Sequence, residues 1–134
     1  MELVVPIVAM LAAWWISTGA ILVLGERSDG ARRFAMGLVS VLAAGALAGA
    51  WMLRDVTGPW AAYAGAGCAL ALWAWHEMSF LFGYITGPVR TACPDGASGW
   101  PRFKAAAGTL IHHELALAAT VALLGVMSLG ATNA

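Results

Sequence analysis

The sequence predicts an all-α integral membrane protein of four transmembrane helices. Three observations carry that prediction. First, 61% of the 134 residues are hydrophobic and 10% are charged, whereas a soluble domain is about 25% charged; mean hydropathy is +0.80. Second, four stretches reach the roughly 20 apolar residues that a membrane-spanning helix needs. Third, the connections between them are short, polar and rich in Gly, Pro and Asp, which is turn chemistry.

The first predicted span runs from about Leu3 to Leu24. It does not read as a signal peptide, because Glu2 is the only charge before it and the apolar run is long for that role. The second runs from Phe34 to Leu53 and carries no charge. Within it Gly45 and Gly49 stand four apart, the spacing that lets two helices approach closely. That face either receives a partner protein or packs on the chain's own helices. The third span runs from about Trp60 to Thr86 and the fourth from about Ala105 to Leu129. The whole chain, 1–134, reads as one transmembrane domain.

The basic residues are distributed unevenly. Arg27, Arg32 and Arg33 fall in the first connection, and Arg90, Arg102 and Lys104 in the third. The second has only Arg54. The positive-inside rule then places the first and third connections in the cytoplasm and both termini in the periplasm. Trp51, Trp60 and Trp100 sit where helices meet connections, as interfacial aromatics do.

Composition also excludes functions. Lys+Arg and Asp+Glu are both 7, so the chain lacks the basic surplus of a nucleic-acid binder. No dinucleotide or phosphate-loop fingerprint is present, no Cys-x-x-Cys-His haem attachment motif, and no Ser-His-Asp arrangement. Cys68, within the third span, reads as an apolar packing residue, and Cys93 as an exposed lone thiol.

The informative residues are ionisable groups inside apolar spans. The third span carries Trp73, Trp75, His76 and Glu77; the fourth carries His112, His113 and Glu114. A charged side chain in the bilayer core costs at least a few kcal/mol, so such groups pair, face the protein interior or serve a site. Counted from the third connection, His76 and His113 lie at similar depths, roughly 15 Å and 12 Å. Trp14 and Trp15 of the first span fall near that layer.

Three readings of this layer stand side by side. His76, Glu77, His113 and Glu114 can ligate iron or another transition metal, and an imidazole of this layer can bind a tetrapyrrole axially. Alternatively, His76 with Glu114, or Glu77 with His113, form an interhelical hydrogen bond that fixes the register of the hairpin. A proton relay is the third reading, extended by Ser79, Tyr84 and Thr86 toward the third connection. Adjacent residues point about 100° apart on a helix, so at most one or two from each helix face a common centre. Gly87-Pro88 is expected to end the third span.

A family resemblance rests on a longer string. Trp75-His76-Glu77-Met78-Ser79-Phe80-Leu81-Phe82-Gly83 is followed by Thr86-Gly87-Pro88, Arg90, Cys93-Pro94, Arg102-Phe103, Ala105 and His113-Glu114-Leu115. With Trp14-Trp15 and Ser17-Thr18-Gly19 in the first span, this resembles the PuhE family, photosynthetic-complex assembly proteins of purple phototrophic bacteria. Members of that family are longer, so the chain looks like the first half of such a protein.

The resemblance implies residence in the bacterial inner, photosynthetic intracytoplasmic membrane. It implies an accessory role in assembling reaction centre and light-harvesting subunits or in adjusting bacteriochlorophyll supply to them. It makes bacteriochlorophyll or another tetrapyrrole the expected ligand, held axially by His76, His112 or His113, with Trp14, Trp73 and Trp75 either stacking on the ring or serving as core packing. The alternatives are a membrane metalloenzyme acting on pigment, carotenoid or lipid, and a permanent structural subunit of the reaction centre–antenna complex.

Overall fold

The computed structural model describes residues 4–132, which form four α-helices and their connections. The expected start at Leu3 lies outside the described residues. Helix α1 spans Val4–Gly25, α2 Asp29–Leu53, α3 Pro59–Leu81 and α4 Gly99–Met127.

Three boundaries differ from the sequence expectation by more than two residues, each for a local reason. Helix α2 begins at Asp29 rather than Phe34. Ser28 caps it by accepting from the Ala31 amide at 3.4 Å, and Asp29 pairs with Arg32 one turn on, an acid placed where the helix dipole favours it. Helix α3 ends at Leu81 rather than Thr86. Phe82 closes it by donating its amide to the Met78 carbonyl at 2.9 Å, and Gly83 follows in the left-handed region at φ 79°. Gly83 therefore performs the termination expected of Gly87-Pro88. Helix α4 begins at Gly99 rather than Ala105, because Pro101 in its first turn has no amide to leave unpaired.

Helix α3 is the hub and packs against α1, α2 and α4, most extensively against α2. The enclosed apolar core is small. Ile21, Val39 and Met78 form one cluster, and Ala43, Ala46 and Leu72 another. Small residues set the spacing. A Cβ on Gly49 would stand 3.1 Å from the Cys68 sulfur, while one on Gly45 would meet nothing within 4 Å. The Gly45/Gly49 pair is thus split. Gly49 packs on the chain's own α3 and Gly45 faces outward. Cys68 is a half-buried packing residue and Cys93 is exposed, both free thiols.

The outer surface is apolar, with Val8, Leu11, Trp15, Val41, Met52, Leu115 and Val121 all exposed. Helices α1, α2 and α4 are long and apolar enough to cross a membrane, a pattern consistent with a membrane protein. Helix α3 has the length, at 23 residues, but Trp60, Tyr63, Trp73, Trp75, His76 and Glu77 lower its apolarity. Helix α3, which holds the buried His76 and Ser79, is also the one most surrounded by protein, as expected where apolar solvent penalises exposed polar groups.

The two ends of the bundle differ in charge. The Thr132 amide, just past α4, donates to Asp55 in the α2–α3 connection at 3.1 Å, and Pro6 and Met10 of α1 share a hollow with Pro59 and Tyr63 of α3. Arg54 is the one basic residue here among those described. At the opposite end Arg32 donates to the Gly25 carbonyl at 3.3 Å, and Gly25 lies against Phe82. Arg27, Arg32, Arg33, Arg90, Arg102 and Lys104 belong to this end.

Candidate functional site

Trp73, Trp75 and His76 of α3 are delivered to three different neighbours, as turns of roughly 200° and 100° between them require. Trp73 meets α1, its ring edge-on to Trp14 with centroids 6.1 Å apart. Trp75 meets α2, where its Nε1 donates to Ser40 Oγ at 3.0 Å; that hydroxyl in turn donates to the Met36 carbonyl at 2.8 Å. His76 meets α4, where its Nε2 lies 2.8 Å from Thr120 Oγ1.

The His76 ring also faces His113 of α4, with centroids 6.2 Å apart and planes at 75°. Phe80, one turn after His76, lies against the other imidazole with centroids 4.7 Å apart, and Trp75 stands edge-on to His76 at 4.9 Å. His76 and His113 are 3% and 8% exposed, and the Nδ1 atom of each is buried with no hydrogen-bond partner. Thr120 Oγ1 donates to the Ala116 carbonyl at 3.1 Å. Its oxygen then accepts from His76 Nε2–H, which leaves His76 Nδ1 as a bare lone pair directed into the interior.

The equal-depth expectation for His76 and His113 holds, although the depths differ from those counted along the sequence. With α3 ending at Leu81, His76 is only about 7 Å from the end of its helix. The connection after α3 folds back along α4. Val89 donates its amide to the Gly108 carbonyl at 2.9 Å, and the His113 amide donates to the Thr86 carbonyl at 3.0 Å. Gly87 is buried against the Gly108–Thr109 backbone.

The expected site residues therefore occupy three places. His76 and His113 come together, with Trp75 at their edge. Trp14 and Trp73 pair at the α1–α3 contact. His112 and Glu114 are exposed on the outer side of α4, and Glu77 is half-buried. Among the described residues no three His, Cys, Asp or Glu side chains are grouped as a metal site, so His76, Glu77, His113 and Glu114 do not form one ligand set. The expected His–Glu bonds are likewise replaced by the His76–Thr120 bond. A planar tetrapyrrole needs an imidazole nitrogen open to one side. His76 and His113 are enclosed by aromatic rings, whereas His112 opens outward. Trp14, Trp73 and Trp75 do not line a common ring site with it.

As to a relay, the Ser79 hydroxyl is spent on the Trp75 carbonyl at 2.6 Å, and Tyr84 is exposed. Sequence reasoning did not single out Ser40, Thr120 or Gly108, nor the ring contact of Phe80. The signal for Thr120 was its position seven residues after His113, which puts both on one helical face.

Residues 1–134 match the family described as "Protein of unknown function (DUF3623)". The chain is also 37% identical, over 121 residues, to an "Uncharacterized 30.4 kDa protein in puhA 5'region" of Rhodobacter capsulatus. That alignment covers 85% of this chain and 43% of the relative, so the chain spans less than half of the relative's length. No solved structure matches.

Proposed function

From the premise that the chain belongs to the DUF3623 family, we propose that it is an accessory membrane protein that helps assemble photosynthetic reaction centre and light-harvesting complexes through helix contacts. The likeness to a protein from a puhA 5' region and the resemblance of its motifs to the PuhE family support the photosynthetic setting.

One structural observation carries the mode of action. Helix α4 is apolar enough to cross a membrane, yet it exposes His112 and Glu114 beside Ile111 and Leu115. Polar groups on a hydrocarbon-facing surface cost a few kcal/mol, and a polar partner on that face removes the cost. The partner is a helix of a reaction centre or light-harvesting subunit. His112 is the imidazole placed to ligate a bacteriochlorophyll that such a subunit presents. The basic end of the bundle lies in the cytoplasm and the Asp55–Thr132 end in the periplasm, across the bacterial inner membrane.

The test is isolation of the tagged chain from a phototrophic host in mild detergent. Quantitative mass spectrometry of co-purifying polypeptides and a near-ultraviolet to near-infrared spectrum are then recorded. Substoichiometric reaction centre or light-harvesting subunits, reduced by Glu114→Leu, are expected. Pigment bands that vanish in His112→Phe but persist in His76→Phe would add the ligand role. Absence of those subunits, together with unchanged complex yield in a deletion strain, would refute the proposal. Fixed stoichiometry with the mature complex would make the chain a permanent subunit.

A further inference from the structure

The fold-back of the connection after α3 creates a crevice that the helix-contact reading does not use. It opens between the last turn of α3, the irregular run from Thr86 to Ala92, and the flank of α4 at Thr109, with a volume of about 610 Å³. Its lining mixes two chemistries. Phe80, Leu81 and Val89 supply an apolar part, and Thr86, Arg90 and Thr91 a polar one. The site is preformed. Backbone bonds from Val89 to Gly108 and from His113 to Thr86 hold the connection onto α4 at 2.9 and 3.0 Å, and Gly87 leaves no slack against Gly108.

We infer that this crevice binds the phosphodiester headgroup of an anionic phospholipid, with Arg90 and Thr91 on the phosphate and an acyl chain lying along Phe80 and Leu81. Arg90 is exposed and takes part in neither ion pair among the described residues, so its guanidinium is free to grip phosphate oxygens in bidentate fashion. Arg102 precedes Thr109 by two helical turns on the same face of α4, about 10 Å along the axis, and adds positive potential on the approach. The crevice lies at the basic end of the bundle, close to where α3 terminates. Headgroup and apolar chain meet at that level for a helix ending at the membrane surface. The apolar lining separates this ligand from free phosphate, which would leave Phe80, Leu81 and Val89 uncovered.

Native mass spectrometry of the full chain, released from nanodiscs containing equal phosphatidylglycerol and phosphatidylcholine, tests the assignment. Retention of phosphatidylglycerol over phosphatidylcholine is expected. Arg90→Gln should lower it about tenfold, the equivalent of one charge-assisted contact. Ala92→Trp, which fills the crevice without changing charge, should lower it comparably, and Arg27→Gln, which removes the same charge from the other basic connection, should leave it within about twofold. Equal loss in Arg27→Gln and Arg90→Gln would overturn the site in favour of a diffuse charge effect. Equal retention of phosphatidylcholine, or displacement of the lipid by millimolar inorganic phosphate, would overturn the lipid assignment.

Discussion

Replacing Gly87 with Ala tests the packing that sets the level of the buried imidazoles. No positive φ constrains Gly87, so the substitution probes space alone. A Cβ there would stand 2.7 Å from the Thr109 carbonyl carbon and 2.9 Å from that of Gly108, and nearer still to the Gly108 oxygen. These neighbours are backbone and cannot rotate away, so the connection must lift off α4 by the better part of an ångström. Lifting it breaks the Val89–Gly108 and Thr86–His113 bonds, each worth about 0.5–1.5 kcal/mol net. Overpacking adds about 1–3 kcal/mol, and the lower chain entropy of Ala returns about 0.4–1 kcal/mol. The expected net loss is about 1–5.5 kcal/mol. Gly108→Ala supplies the contrast, because its Cβ meets the Val89 side chain at 2.6 Å and Val89→Ala should relieve it. Reversible unfolding in mixed micelles, followed by circular dichroism, compares each glycine variant, alone and combined with Val89→Ala, with wild type. A Gly87→Ala protein within about 0.5 kcal/mol of wild type, or one rescued by Val89→Ala, would refute the reasoning.

Three further outcomes follow from the same geometry. Thr120→Val removes the oxygen that accepts from His76 Nε2–H and should cost about 1–3 kcal/mol; the His76→Phe/Thr120→Val pair should be less than additive in a double-mutant cycle, and full additivity would argue against the bond. Gly49→Ala should destabilise α2–α3 packing by up to about 1–3 kcal/mol and be relieved by Cys68→Ala, while Gly45→Ala should lie within about 0.5 kcal/mol of wild type; equal effects at both positions would contradict the split of the pair. Asp55 sits outside the spans, where hydrogen bonds from the Thr132 amide and Arg54 hold its carboxyl below the usual carboxylate range. A folded-state value below the unfolded one means that the contact stabilises above the unfolded value and is lost as pH falls through the folded one. Amide exchange at Thr132 should therefore accelerate below about pH 4 beyond its intrinsic pH dependence, and Asp55→Asn should abolish that excess.

The sequence alone carried the helical class, the four helical segments, three of them apolar enough to cross a membrane, and the clustering of basic residues in two regions of the chain. These are additive, local properties. A run of apolar residues has to satisfy its backbone internally whatever surrounds it, and Gly, Pro and Ser punctuate it nearby, though Gly83 rather than Gly87 ended α3. The candidate site was legible only as a layer. His76 and His113 do meet, but no local signal joined His76 to Thr120, sent Trp75 to Ser40, or turned His112 and Glu114 outward. Those outcomes depend on the rotation of each helix about its axis. In a soluble bundle the contrast between wet and buried faces writes that rotation into the sequence. Here Val41 and Leu115 on the outside are as apolar as Val39 and Leu72 within, so the contrast is missing. Close backbone contacts such as Gly87 on Gly108, which exist only in the assembled fold, decided which residues face one another.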